Sequence, residues 1–476
     1  MIPASHYRDR RRQLLDRLDG PLLLFAGGER PRSYPGDPIP YRADSQFHFL
    51  FPNPEPGSAA FFDPEEGTVT LFLPERTQVD EIWTGPRPPF DRMREAVDVD
   101  AVEAVEHLEE WLEDRVNGRS VGSVAVADPV ANARARRITG LPLDFADSND
   151  IAPAPLQHVL ADLRFHKAEA ELDEMRRVAE ITGAGFLEAM GATATGRTEQ
   201  EITGILEGAY IRAGATCAFN SIVSVRGEVL HNHSHAHTLR DGDLLLVDSG
   251  AELPSGYVAD VTRTFPVNGH FTPEQRDVYG IVLAALKEAT DRVRVGVRYG
   301  DIHRAASRVI ARGLVDLKLL RGEPDGLVER GAHALFFPHG VGHLLGLEAH
   351  DLEPFGDRIL YGPARVRSTQ FGTSFLRIDL DLAERMVVTI EPGLYFVPGI
   401  LRLPEFHEKF HDCVDFERAE QWLAMNDGRG FGGVRLEDDV VVTAAEPEIL
   451  TLRIPREVDD VEAAVGVRAA MGARTG

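Results

Sequence analysis

Several aliphatic runs in this chain stop on a carboxylate, and that constrains its fold more than any other feature. "LLLVDSG" sets Asp248 behind Leu-Leu-Leu-Val, "YVADVTRTF" sets Asp260 among Val and Ala, and "VVTIEPG" sets Glu391 behind Val-Val-Thr-Ile. "GVRLEDDVVVT" adds Glu437, two residues after Arg435. Any one of these reads most simply as a strand-end acid facing water. The set does not, because a lone buried carboxylate costs several kcal/mol unless a cation or strong donors compensate it. Asp248 and Asp260 flank "SGAELPSGYVA", whose Pro-Ser-Gly is a hairpin turn, so two antiparallel strands can bring both carboxylates to one point.

"FFPHGVGHLLGLEAHD" supplies imidazoles. His339 and His343 stand four apart, but Gly340, Val341 and Gly342 between them make a regular helix poor, and a Gly-rich bend carrying one ligand is the better reading. Four carboxylates and one imidazole form an oxygen-rich set that suits manganese, cobalt or iron better than a structural zinc, and four acids can hold two ions through bridging oxygens. A second histidine run, "HNHSHAH", places His231, His233, His235 and His237 on alternate positions, which in an extended segment would share one face.

Residues 1–155 contain short β-rich runs, "PLLLFAG", "GSAAFFD" and "TVTLFLP", with a helical "AVEHLEEWLEDRV", as in a small α/β domain. The breaker-rich "DSNDIAPAPL" then reads as a linker. A second domain, 156–476, opens with a helix whose apolar stripe includes Leu172, Met175, Val178, Phe186 and Met190. Its strands alternate with helices, one of them opened by Thr272 as N-cap and Pro273 at the first helical position, so the class is α+β. With 51 Lys and Arg against 76 Asp and Glu, the net charge of −25 disfavours nucleic acid and anionic membrane as partners. Two distant cysteines indicate neither a disulfide framework nor a thiolate metal site. The charged opening "MIPASHYRDRRRQ" and the lack of a long apolar run give a cytoplasmic protein as the expectation.

The ordered series "VDSG", "DVTRTFPVNG", "HGVGHLLGLEAHD", "TIEPGLYF" and "GGVRLEDDVVVT" resembles the pita-bread metallopeptidases, in the branch of Xaa-Pro aminopeptidases and Xaa-Pro dipeptidases. "PYRADSQFHFLFPNPEPG" and "EIWTGPR" are similar to the N-terminal domain of that branch. The resemblance implies a C-terminal pita-bread catalytic domain acting on short proline-containing peptides. It implies that Asp248, Asp260, His343, Glu391 and Glu437 hold two divalent ions, usually manganese, with cobalt, zinc or iron as alternatives. Asp260 and Glu437 would bridge them, and Glu391 would also move the proton of the attacking water. His339 and His350 would donate to the substrate carbonyl, His231 would lie beside the proline, and Arg435 would orient the bridging glutamate. Arg377 matches an arginine that clamps a dipeptide's carboxylate in the dipeptidases. Trp83 matches a tryptophan that helps cap a neighbouring subunit's site in the aminopeptidases, which implies a homo-oligomer, a dimer or a tetramer. The aminopeptidase is the first reading and the dipeptidase the alternative, ahead of a metal-free binding protein on the same fold. Nothing in the family predicts His233, His235 or His237, for which a solvated rim of the cleft is the expectation. Residues 357–383 are longer than an aminopeptidase needs and fall where the leaving-group side of the cleft would be shaped.

Overall fold

A computed structural model describes residues 2–34 and 36–467. The chain divides into two compact units, one of residues 1–166 with 352–359, the other of residues 167–351 with 360–476. Residue 155, the expected boundary, lies within the helix Ala154–Phe165, which belongs to the first unit. That helix buries Leu156, Leu160 and Leu163 and packs against the helix Ala4–Leu15 of the same unit.

The aliphatic runs of the first unit become a mixed five-stranded sheet: β1 (Leu22–Phe25), β2 (Ala59–Asp63), β3 (Thr68–Leu73), β4 (Ala101–Ala104) and β5 (Gly122–Ser123), in the order β4-β3-β2-β1-β5. Strands β1, β2 and β3 pair antiparallel, whereas β4 and β5 join the edges in parallel.

Among the described residues of the second unit, ten short strands make four small sheets. They are β6 (Thr216–Cys217), β7 (Ile222–Ser224), β8 (Leu244–Ser249), β9 (Ala251–Glu252), β10 (Val261–Pro266), β11 (Val387–Ile390), β12 (Gly393–Tyr395), β13 (Gly433–Arg435), β14 (Asp438–Val441) and β15 (Glu448–Ile449). Their orders are β10-β8-β7, β11-β14-β15, β12-β13 and β6-β9, and every pairing is antiparallel. Helix pairs Glu169–Ala192 with Glu199–Arg212, and Pro273–Thr290 with Tyr299–Asp316, pack side by side. The first helix buries the expected stripe of Leu172, Met175, Val178, Phe186 and Met190. Thr272 caps the third by accepting from the Gln275 amide, with Pro273 just inside. Short antiparallel strands set among helices are the α+β class the alternating texture predicts.

Two glycines permit the close approaches that shape the site. At Gly250, between β8 and β9, a Cβ would lie 1.7 Å from the Ala259 carbonyl oxygen, so only glycine lets the hairpin close there. At Gly342, φ is +151° and a Cβ would lie 2.2 Å from the Thr389 carbonyl oxygen. The bend 341–345 can therefore lie along β11, with Glu391 N–H donating to Val341 O and Thr389 N–H to His343 O.

Candidate active site

The β8–β10 ladder sets Asp248 opposite Thr262, and Asp260, two residues before Thr262, falls on the same face. Glu391 follows directly after β11, while Glu437 sits between β13 and β14, where its N–H donates to Thr262 O and ties that junction to β10. The bend alongside β11 delivers His343, whose Nε2 lies 3.6 Å from Asp260 Oδ2, 3.8 Å from Glu391 Oε1 and 4.0 Å from Glu437 Oε1. Donor atoms of Asp260, His343 and Glu437 all fall within 4.8 Å of one another, and all three residues are buried. Among the described residues no other group of three such donors gathers this closely.

These side chains open into a cavity of about 670 Å³ in the second unit, whose wall also carries Asp248, His231, His233, His339, His350, Arg377, Glu391 and Arg435. Trp83, by contrast, is in the first unit, on the helix Gln78–Thr84, and is 82% exposed. Burial, then the charge of Glu437, drives the Asp260 carboxyl well above its usual range, and burial with the charge of Glu391 does the same to Glu437. Burial raises Glu391 to about 7 against the opposing pull of Arg435 and Arg377. His343 is held well below the ordinary imidazole value, by burial and then by His350, whose ring centre is 4.3 Å away. The buried carboxylates thus repel one another while an unprotonated imidazole faces them.

That donor set fits divalent cations. An ion bonded at about 2.1 Å to several oxygens and a nitrogen keeps those atoms within roughly 4 Å of one another, close to the spacing observed. Asp248 points the same way, since its Oδ2 accepts from Arg435 whereas its Oδ1 is buried with no hydrogen-bond partner.

Arg435 and His339 are both held by hydrogen bonds to neighbouring residues. Arg435 Nη2 donates to Asp248 and its Nε to Thr262 Oγ1 at 3.1 Å, and Thr262 Oγ1 in turn donates to Glu437 Oε2 at 2.7 Å, so Arg435 reaches that glutamate through Thr262. His339 has both ring nitrogens engaged, Nδ1–H donating to Gly340 O at 2.7 Å and Nε2 accepting from Tyr395 O–H at 2.9 Å. Burial lowers its pKa to about 3, so the ring stays neutral.

The histidine run does not present one face either. His231 and His233 line the cavity, but His235 Nε2 bonds Ser221 O at 3.0 Å, and His237 Nδ1 bonds Glu199 at 3.0 Å. Three supporting residues escaped sequence reasoning: Thr262, Tyr395 and Asp439. Asp439 Oδ2 accepts from the Asp260 N–H, and Tyr395 O–H links Arg435 to His339. Only Asp439 left a signal, as the third acid of "LEDD".

Comparison with known proteins agrees with this geometry. The sequence signature of metallopeptidase family M24 matches residues 173–444, and that of the aminopeptidase P N-terminal domain matches residues 7–124. This chain belongs to metallopeptidase family M24. Among its relatives in the family, the Xaa-Pro aminopeptidase of Escherichia coli is 32% identical over 97% of this chain and 98% of its own length. The human Xaa-Pro dipeptidase is 30% identical over 97% of this chain and 93% of its own. The structure of Pseudomonas aeruginosa aminopeptidase PepP superposes with a TM-score of 0.81 at 30% identity, covering 99% of both chains. Aminopeptidase P from E. coli with the inhibitor Pro-Leu superposes with a TM-score of 0.80 at 30% identity, covering 100% of both. The pita-bread fold and the metallopeptidase class expected from the motifs are those of these relatives.

Proposed function

We propose that the protein is an exopeptidase that hydrolyses the bond between an N-terminal residue and proline in short peptides. The observation that carries this reading is the convergence of Asp260, His343 and Glu437 within 4.8 Å, on a cavity already furnished with Asp248 and Glu391. Asp248, Asp260, His343, Glu391 and Glu437 would hold two divalent ions, with manganese as the metal to supply. Such ions activate water and polarise a carbonyl as Lewis acids near neutral pH.

The residues of the chain perform the remaining tasks. Glu391 Oε2 takes the proton of the attacking water and passes it toward the proline nitrogen, work that contributes about 10²–10⁴-fold in rate. His350 supports the substrate carbonyl. Proline's nitrogen carries no N–H, so its ring must be recognised by shape, which His231 and the neighbouring Leu230 and Phe219 provide on the cavity wall. Arg435 holds Asp248 in position, and Thr262 does the same for Glu437.

Arg377 supports a second reading. Its place on the cavity wall is suited to a guanidinium clamp on the carboxylate of a dipeptide. The two readings separate when manganese-supplemented protein is given Ala-Pro-Ala and Ala-Pro at equal concentration. Faster release of alanine from the tripeptide is the expected result, and cleavage of the dipeptide alone would make the protein a dipeptidase.

A further inference from the structure

One wall of the cavity takes no part in this chemistry. Phe371, Phe375 and Ile400 belong to its apolar lining, and Phe375 leaves 55% of its surface exposed. The ring is nevertheless held in place. Phe371 meets Phe375 edge-on with centroids 6.1 Å apart, and leans on Phe406 of the helix Pro404–Phe410 at 5.0 Å. Behind the rings the backbone is fixed too: Arg367 donates to Ser374 O and Leu376 O, and Tyr361 O–H donates to Leu376 O at 2.6 Å. On its inner side that backbone runs so close to Gly340 that a Cβ there would lie 2.8 Å from Leu376 Cα.

The position of this wall along a bound peptide follows from the exopeptidase reading, on which the inference rests. If the first bond is the one cut, everything after proline extends away from the ligand cluster. Arg377, two residues beyond Phe375, is near enough to the centre for its charge to act on Glu391 and His231. Phe375 is the more exposed end of the same segment. We infer that Phe375, backed by Phe371, forms a subsite for an apolar side chain on the residue that follows proline, so that tripeptides with a bulky apolar third residue are the favoured substrates. Arg377 would sit next to this subsite, between it and the scissile bond.

Ala-Pro-Leu and Ala-Pro-Gly, given to manganese-loaded wild type, F375A and F375L, test the subsite. The wild type is expected to favour Ala-Pro-Leu in kcat/KM by on the order of tenfold, carried mainly by KM, as befits apolar binding distant from the reacting bond. F375A should bring the ratio close to one, and F375L, which keeps an apolar surface, should restore most of it. A wild-type ratio near one, or an unchanged ratio in F375A, overturns the subsite and leaves the peptidase intact. Failure of the wild type to cut either tripeptide overturns the peptidase reading and the subsite with it.

Discussion

Glu391 stands with the proposed ion ligands and is proposed to carry the proton of the reaction as well, so it is the residue whose chemistry can be isolated most cleanly. Gln keeps its size and removes its basicity. E391Q should fold with unchanged circular dichroism and lose activity on Ala-Pro-Ala by about 10²–10⁴-fold; retention of more than a tenth of the wild-type rate would take the proton-transfer role away from it. The five candidate ligands were readable because an aliphatic run that ends in an acid or a glycine-flanked histidine conflicts with simple burial. Thr262 and Tyr395 raised no such conflict, since a threonine in a strand and a tyrosine after Gly-Leu are ordinary sheet residues. Their importance lies in partners far along the chain: Thr262 bonds Glu437, and Tyr395 bonds Arg435. The same limit hid the bond from Arg435 to Asp248, which spans 187 positions.

At the scale of elements, the hairpin carrying Asp248 and Asp260 was legible because the apolar runs and the Pro-Ser-Gly turn agree on register. The histidine run was not, because alternation describes a paired strand, whereas Ser221 and Glu199 draw His235 and His237 into separate contacts. Two other histidines have a measurable consequence. His303, on the helix Tyr299–Asp316, and His333, in the 3₁₀ turn Ala332–Leu335, are each buried with an unpartnered Nδ1. Burial lowers their pKa values to about 3 and about 4, His303 being lowered further by His333 and Arg304 and raised slightly by Asp379. Below pH 6.5 the unfolded chain binds protons that the folded chain refuses. Their contribution is therefore complete above that pH and is lost as the pH falls toward 4 and 3, at about 1.4 kcal/mol per pH unit for each histidine. Urea midpoints measured from pH 6.5 to 4.5 should drop more steeply for the wild type than for the H303Q/H333Q variant. Parallel slopes would show that neither histidine is buried in its neutral form.

For the whole molecule, the fold class and the metallopeptidase family were legible because each motif falls at an element boundary that carries a candidate ligand. Less visible was the membership of residues 352–359 in the first unit, since composition records no contact made so far from its place in the chain. Nor could it show that Phe375 lies on the cavity wall. Among the described residues no helix is long and apolar enough to cross a membrane. The proposed chemistry requires divalent ions to settle the mutual repulsion of Asp248, Asp260, Glu391 and Glu437 around His343. Crystals of the manganese-loaded protein, with anomalous difference maps recorded on either side of the manganese absorption edge, test this directly. Two manganese peaks enclosed by these five residues are expected; no peak there, or peaks bound only elsewhere on the chain, would contradict the account.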